Sequence, residues 1–164
     1  IDALAVPLGY VATVIAILAY IASSFWIYRS AANARHIRPA PDRITPGWAV
    51  GWFFVPFANL VKPFQAMRQT WNTSHSKSGS IDQPCGPLVS WWWTAWILAS
   101  ITSNISLRLT FSANELFEYR TAAILSLISS PLAVASAILF ITLIRNITAA
   151  QANLRGSAYE EIFN

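Results

Sequence analysis

Charged residues are scarce in this chain, and their scarcity indicates the class of protein. They make up 11% of the 164 residues, while 55% of the residues are hydrophobic. Soluble domains carry about 25% charged residues. A chain of this length cannot bury so much apolar surface in a water-facing globule, because a small domain leaves much of its surface exposed. The sequence therefore predicts a single-domain, all-α integral membrane protein.

The side chains that usually support catalysis or metal binding are also few. One cysteine, Cys85, excludes an internal disulfide and a multi-cysteine metal site. The two histidines, His36 and His75, have no metal ligand at helical spacing. No serine lies in a nucleophile turn, and no carboxylate lies within an apolar run. We expect no enzyme activity, no metal and no cofactor.

The net charge of +4 does not indicate a nucleic-acid partner. Binding of that kind needs a basic surface with stacking aromatics, and here the aromatics lie in or beside apolar runs. Trp26 and Tyr28 precede Arg29, and four tryptophans lie between Trp91 and Trp96. Tryptophan and tyrosine are typical of the membrane–water boundary. Membrane lipids are therefore the expected surroundings.

Four hydrophobic segments make up the predicted helical bundle, within one domain at 1–155. The first, of about 25 residues, is too long for a signal peptide and does not follow a basic start. The chain starts at Ile1 without Met, which leaves open whether a native stretch precedes it. The remaining residues, 156–164, are predicted to form a polar, loosely ordered tail. The predicted segments are about 4–28, 46–61, 88–111 and 121–144.

The second segment differs from the other three. It has about 16 residues, which as a straight helix reach only about 24 Å, and Pro56 and Pro63 interrupt it. Residues 63–72 that follow have an amphipathic pattern suited to the membrane interface. We predict polar connections at 29–45, 73–86 and 112–120.

The distribution of basic residues leaves two topologies open for the second segment. If all four segments cross, six basic residues lie on one side and five on the other. If the second segment is re-entrant, the ratio becomes nine to two, which is a usable positive-inside bias. Long aromatic apolar runs usually cross the membrane, so we slightly prefer a short span for the second segment. Cysteine labelling of positions Ser78 and Arg38 from opposite faces of the membrane would support that span.

Small and polar residues within the apolar segments provide candidate contact sites. Gly47 and Gly51 form a GxxxG pair, which permits close helix packing within the bundle or against a partner. Asn59 and Asn104 are amides in apolar runs, where an unpaired amide is costly. They are predicted to bond to a neighbouring helix or to line a ligand pathway. Small residues also recur every four positions at Ala95, Ala99 and Ser103, and at Ser129, Ala133 and Ala137.

A basic cluster follows the first segment. Its members are Arg29, Arg35, Arg38 and Arg43. Basic residues near an anionic bilayer surface contribute about 1 kcal/mol each to lipid binding. The cluster is therefore a candidate anionic-lipid contact, and it also favours a cytoplasmic location for this end of the segment.

Three stretches carry a resemblance to a known family. They are TPGWAVGWFFVPFANL at 45–60, KPFQAMR at 62–68 and YRSAAN at 28–33. Together with the tryptophans that open the third segment and with Asn104, they resemble the bacterial family called domain of unknown function 4328, over roughly residues 20 to 150. The resemblance implies a multi-pass protein of the bacterial cytoplasmic (inner) membrane, and it brings no established activity, cofactor or catalytic residue.

Two functions agree with these patterns. We expect a non-catalytic accessory or structural subunit that packs against a larger bacterial membrane complex, because the segments are rich in small-residue faces and tryptophan anchors and contain few polar groups. The alternative is a small-molecule or lipid-binding, transport-related protein with a site at the broken second segment. That site would contain Asn59, Gln65 and Arg68. An intramembrane enzyme is the hypothesis with the least support from the sequence.

Overall fold

In the computed structural model, the backbone is described for residues 2–75, 83–113 and 115–163, and side chains for 7–75, 83–113 and 115–156. These ranges contain only helices and connections. Two helical stretches, Pro7–Ile37 and Leu116–Gly156, are long and apolar enough to cross a membrane. The α-helices are α1 (Asp2–Ile37), α2 (Pro46–Gly51), α3 (Lys62–His75), α4 (Pro87–Ser112) and α5 (Leu116–Phe163), with short 3-10 turns at Trp52–Phe54 and Ala58–Leu60.

Helices α4 and α5 form an antiparallel hairpin along a seam of small residues. The buried small residues lie seven positions apart, at Ala99 and Ser106 on α4 and at Ala122, Ser129 and Ser136 on α5. A seven-residue repeat is the spacing of a left-handed coiled coil. The small residues predicted at four-residue spacing belong only in part to this seam, since Ser103, Ala133 and Ala137 are exposed.

Helix α1 runs parallel to α5, and the side-chain contacts described between them lie in their C-terminal halves. The Trp26 indole N–H donates to Thr148 Oγ1 at 3.3 Å, and Arg155 Nη2 donates to Asn33 Oδ1 at 2.7 Å. Both pairs are 122 positions apart, so the two helices run in the same direction. Residues 7–22 of α1 are exposed on every face.

The second hydrophobic segment doubles back on itself. Helix α2 starts at Pro46, where Thr45 Oγ1 caps it by accepting from Trp48 N, and it ends at Gly51. The backbone N–H of Ile44, before the segment, donates to Gln69 Oε1, after it, at 2.9 Å. The chain that leaves the segment therefore returns through α3 to the residue that precedes the segment. Whether the second segment crosses a membrane or re-enters it stays a prediction.

Several helices extend beyond the predicted segments. Helix α1 continues to Ile37, through part of the predicted connection at 29–45. Helix α5 begins at Leu116, inside the predicted 112–120 connection, and its backbone stays helical to Phe163, where a tail was expected. The end of an apolar run shows where the apolar surroundings end. A helix ends only where its backbone hydrogen bonds stop, so it can continue beyond the apolar run. Residues 76–82 of the predicted 73–86 loop lie outside the described range.

Helix α3 is the amphipathic segment, but it lies inside the bundle and not at its edge. Its apolar residues Ala66 and Met67 belong to the central apolar cluster with Val89 and Leu143. Its polar residues are buried as well, including Thr73. Its polar residues also bond to other parts of the chain: Ser74 Oγ accepts from Gln151 of α5, and Gln69 Oε1 accepts from Ile44 N. The location of this segment at a membrane interface stays a prediction.

Candidate functional site

The turn of the second hydrophobic segment, residues 55–61 (the tip), has a strained backbone. The Ala58 N–H donates to Pro56 O at 2.7 Å, which closes a γ-turn around Phe57. Phe57 has φ 63 and ψ −42, a conformation that is costly for a bulky residue. Its side chain is 86% exposed, so side-chain burial does not compensate for the strain. Such strain concentrates at ligand clamps and switch regions.

Aromatic residues of the first half of α4 contact both the tip and the 3-10 turn at Trp52–Phe54 that precedes it. The Trp93 indole N–H donates to the Leu60 carbonyl at 3.3 Å. The Phe53 ring meets Trp96 edge to face at 5.8 Å, and Trp96 stacks on Trp93 at 4.7 Å. The carbonyls of an irregular segment need partners when water is absent. An indole donor from α4 supplies one of them.

A cleft of about 310 Å³ lies between the tip and α4. We call it the tip cleft. It unites Asn59 from the tip with Asn104 from α4, the two intrasegment amides that the sequence singled out. The other lining residues are Leu60, Trp96, Ser100, Ile101, Ile105 and Arg108.

The polar groups of the tip cleft suit an amphipathic molecule. Asn104 Nδ2 donates to the Ser100 carbonyl of its own helix at 2.7 Å, which leaves the amide oxygen to accept from elsewhere. The exposed Arg108 provides guanidinium donors one helical turn away, and Ile101 and Trp96 provide apolar walls. Polar donors beside an apolar wall can bind a polar head group and an attached apolar chain together.

The other two residues of the predicted second-segment site lie elsewhere. Gln65 and Arg68 are half-buried on α3, and neither lines the tip cleft. The Arg68 Nε atom is buried and has no hydrogen-bond partner among the described residues. The prediction grouped these residues with Asn59 because they follow it in sequence. Asn59 lies in the 3-10 turn at Ala58–Leu60, whereas Gln65 and Arg68 lie on α3, which begins at Lys62.

The predicted close packing at Gly47 and Gly51 is not formed within the described part of the chain. A Cβ on Gly47 would meet nothing within 4 Å. A Cβ on Gly51 would lie 3.2 Å from Trp48, one turn earlier on the same helix. No second helix therefore uses this pair for close approach there. A partner contact at these glycines stays a prediction.

The basic cluster divides into exposed and buried members. Arg43 is only 5% exposed, and its Nη1 donates to the Ala34 carbonyl at 2.6 Å, in the last turns of α1. Burial, with the nearby charges of Arg35 and Arg38, lowers the pKa of Arg43. The assignment of Arg43 as a lipid contact is therefore wrong. It stabilises the C-terminal end of α1, where a cation is favourable.

Arg29, Arg35 and Arg38 remain candidates for lipid contact. Arg29 is exposed and lies over the Phe25 ring at 5.7 Å, while Arg35 and Arg38 are half-buried. One further residue of the tip cleft, Arg108, was absent from the predicted set of site residues, although its position four residues after Asn104 is visible in the sequence.

These features define the class of protein as an all-helical chain with two possible membrane-crossing helices and a segment that folds back between them. The chain belongs to the family described as Domain of unknown function (DUF4328), whose profile matches residues 1–149. The match includes the whole tip cleft and ends just before Gln151. No curated protein matches the chain, and no solved structure does.

Proposed function

We propose that the chain is a multi-pass protein of the bacterial cytoplasmic membrane, in which α1, α4 and α5 cross and the second segment is re-entrant. Helix α4 has 26 residues, about 39 Å, and runs antiparallel to α5. In this topology nine of the eleven Lys and Arg residues lie on one side, which is then cytoplasmic. Lys77, one of the nine, lies outside the described residues.

Within that topology, the protein binds a lipid or a small amphipathic molecule in the tip cleft and has no catalytic role. The observation that carries this proposal is that Asn59 and Asn104 line one cleft although they are 45 positions apart. Broken segments at membrane depth form ligand sites in transporters, where irregular backbone lines a cavity. The strained turn at Phe57 agrees with a functional constraint on the tip.

Native mass spectrometry of the protein, purified in mild detergent, tests the cleft. We expect a small molecule or lipid to remain bound to the wild-type chain and its occupancy to fall about tenfold in the variant Asn59→Ala/Asn104→Ala, because both amides that line the cleft are removed. Asn146→Ala is a matched control: Asn146 donates to the Thr142 carbonyl of its own helix at 2.8 Å, as Asn104 does to Ser100. Unchanged occupancy in the double variant would refute the proposal that the tip cleft binds the ligand.

A second candidate function is that of an accessory subunit in a larger membrane complex. The observation that favours it is the free half of α1, residues 7–22, in which every residue is exposed. An apolar helix that is exposed on all faces can pack against a helix of a partner. A monodisperse monomer in mild detergent would contradict this function. A stoichiometric partner that crosslinks to Ile15 but not to the exposed Ile138 of α5 would support it.

A further inference from the structure

A second cavity, of about 300 Å³, lies between α1 and α5. We call it the basic cavity. Arg29 and Asn33 line it from α1, and Gln151 and Arg155 line it from α5. Phe25 and Trp26 form its apolar side, and none of the lining residues among the described side chains, which end at residue 156, is a carboxylate. The cavity thus combines two guanidinium groups, two amides and two aromatic rings.

A chain of hydrogen bonds fixes the geometry of these polar groups. Gln151, only 5% exposed, donates from Nε2 to Ser30 O at 3.1 Å and to Ser74 Oγ at 3.2 Å. Its Oε1 accepts from Asn33 Nδ2 at 3.2 Å, and Asn33 Oδ1 accepts from Arg155. Arg155 therefore has a fixed position and keeps further N–H donors, since a guanidinium group has five. Preorganised donors of this kind favour the binding of an anion.

The basic cavity lies where the apolar runs of both helices end. The run of α1 ends at Tyr28, directly before Arg29, and the run of α5 ends at Ile144, directly before Arg145. The Trp26 indole, bonded to Thr148, lies at the same level. Tryptophan and arginine at the end of an apolar run mark the head-group region of a bilayer. On the bilayer side, the exposed apolar surface of α1 (residues 7–22) continues from the cavity.

We propose that the basic cavity binds the phosphate group of an anionic phospholipid between Arg29 and Arg155, with the acyl chains along the free half of α1. The proposal rests on the membrane topology proposed above, but not on the tip cleft. It assigns a role to Arg155, which the predicted basic cluster did not include. The same phosphate chemistry could come from soluble phosphate, so the experiment must separate the two sources.

The test is native mass spectrometry of the full chain in detergent, titrated with phosphatidylglycerol and separately with phosphatidylcholine. We expect a preference for phosphatidylglycerol that falls about fivefold in Arg29→Gln and again in Arg29→Gln/Arg155→Gln, because each basic residue contributes about 1 kcal/mol to anionic-lipid binding. Arg145→Gln is the matched control, since it removes the same charge from an exposed position of α5 outside the cavity.

Each outcome supports or overturns the proposal. An equal loss in Arg145→Gln would mean general charge attraction, and no loss in the double variant would mean that the cavity binds no lipid. Displacement of the lipid by inorganic phosphate at low millimolar concentration would make soluble phosphate the ligand. Arg29→Lys/Arg155→Lys guards against misfolding, because it keeps the charge and is expected to retain most of the preference. Loss of the preference in Arg29→Gln/Arg155→Gln with occupancy of the tip cleft unchanged would separate this site from the proposed function.

Discussion

Helix α5 makes two interfaces that are held by different chemistry. Against α4 it presents small residues in a seven-residue repeat, with Ala122, Ser129 and Ser136 buried. Against α1 and α3 it presents Gln151, whose side chain hydrogen-bonds to both helices. The first interface depends on close approach of two backbones, and the second on satisfied polar side chains.

The difference follows from the surroundings that each interface is proposed to have. In hydrocarbon, apolar side chains gain nothing by leaving lipid for protein, so small residues that allow close packing stabilise helix pairs. At the end of the apolar run water competes for hydrogen bonds, and a polar network is favourable only when it is buried and complete. Gln151 meets that condition, because its amide has partners on both atoms.

Removal of the Gln151 side chain is expected to reduce the free energy of unfolding more than the other changes proposed below. Gln151→Leu eliminates three hydrogen bonds between α5 and its neighbours, worth about 1 kcal/mol each, so we expect a loss of about 3 kcal/mol in the free energy of unfolding. Denaturant titration in detergent micelles measures this loss. Asn146→Leu, at an exposed position bonded within its own helix, should change stability by less than about 0.5 kcal/mol. Equal effects would mean that the network does not hold α1 to α5.

The sequence predicts segments better than it predicts which faces meet. The apolar runs and the prolines located the four hydrophobic segments, and the amides in apolar runs identified Asn59 and Asn104. That these two meet could not be predicted, because it depends on the turn at Phe57 that brings the tip against α4. Arg43 was assigned to lipid since its charge is visible in the sequence, while its burial against Ala34 is not.

Ser129 illustrates the same limit at the level of one helix. It belongs to two sequence patterns, the four-residue stripe with Ala133 and Ala137 and the seven-residue repeat with Ala122 and Ser136. Each pattern marks a different face of α5. The choice between them depends on the partner helix, because only the seven-residue repeat keeps contact with a second helix over several turns.

Overpacking of the small-residue seam is expected to have an intermediate effect. Ser129→Leu inserts a large side chain between α4 and α5 where Ser129 is buried, and overpacking of this kind costs about 2 kcal/mol. Ala133→Leu adds a large side chain one turn later on the exposed face and should be close to neutral. The measurement is the thermal unfolding midpoint of each variant in the same detergent. If Ala133→Leu were the more damaging change, the four-residue stripe would be the packed face.

The smallest effect is expected from a hydrogen bond within the seam. Ser106 Oγ donates to the Ala122 carbonyl of α5 at 2.8 Å and lies 2.8 Å from Ser126 Oγ. Interhelical hydrogen bonds in membranes contribute about 0.6–2 kcal/mol, so Ser106→Ala should cost about 1 kcal/mol. Thr102→Ser is the control, because the Thr102 hydroxyl bonds only to carbonyls of its own helix, Leu98 and Ala99, and serine retains that hydroxyl. A loss in Ser106→Ala as large as in Gln151→Leu would mean that both interfaces of α5 depend on polar contacts, and the contrast between them would disappear.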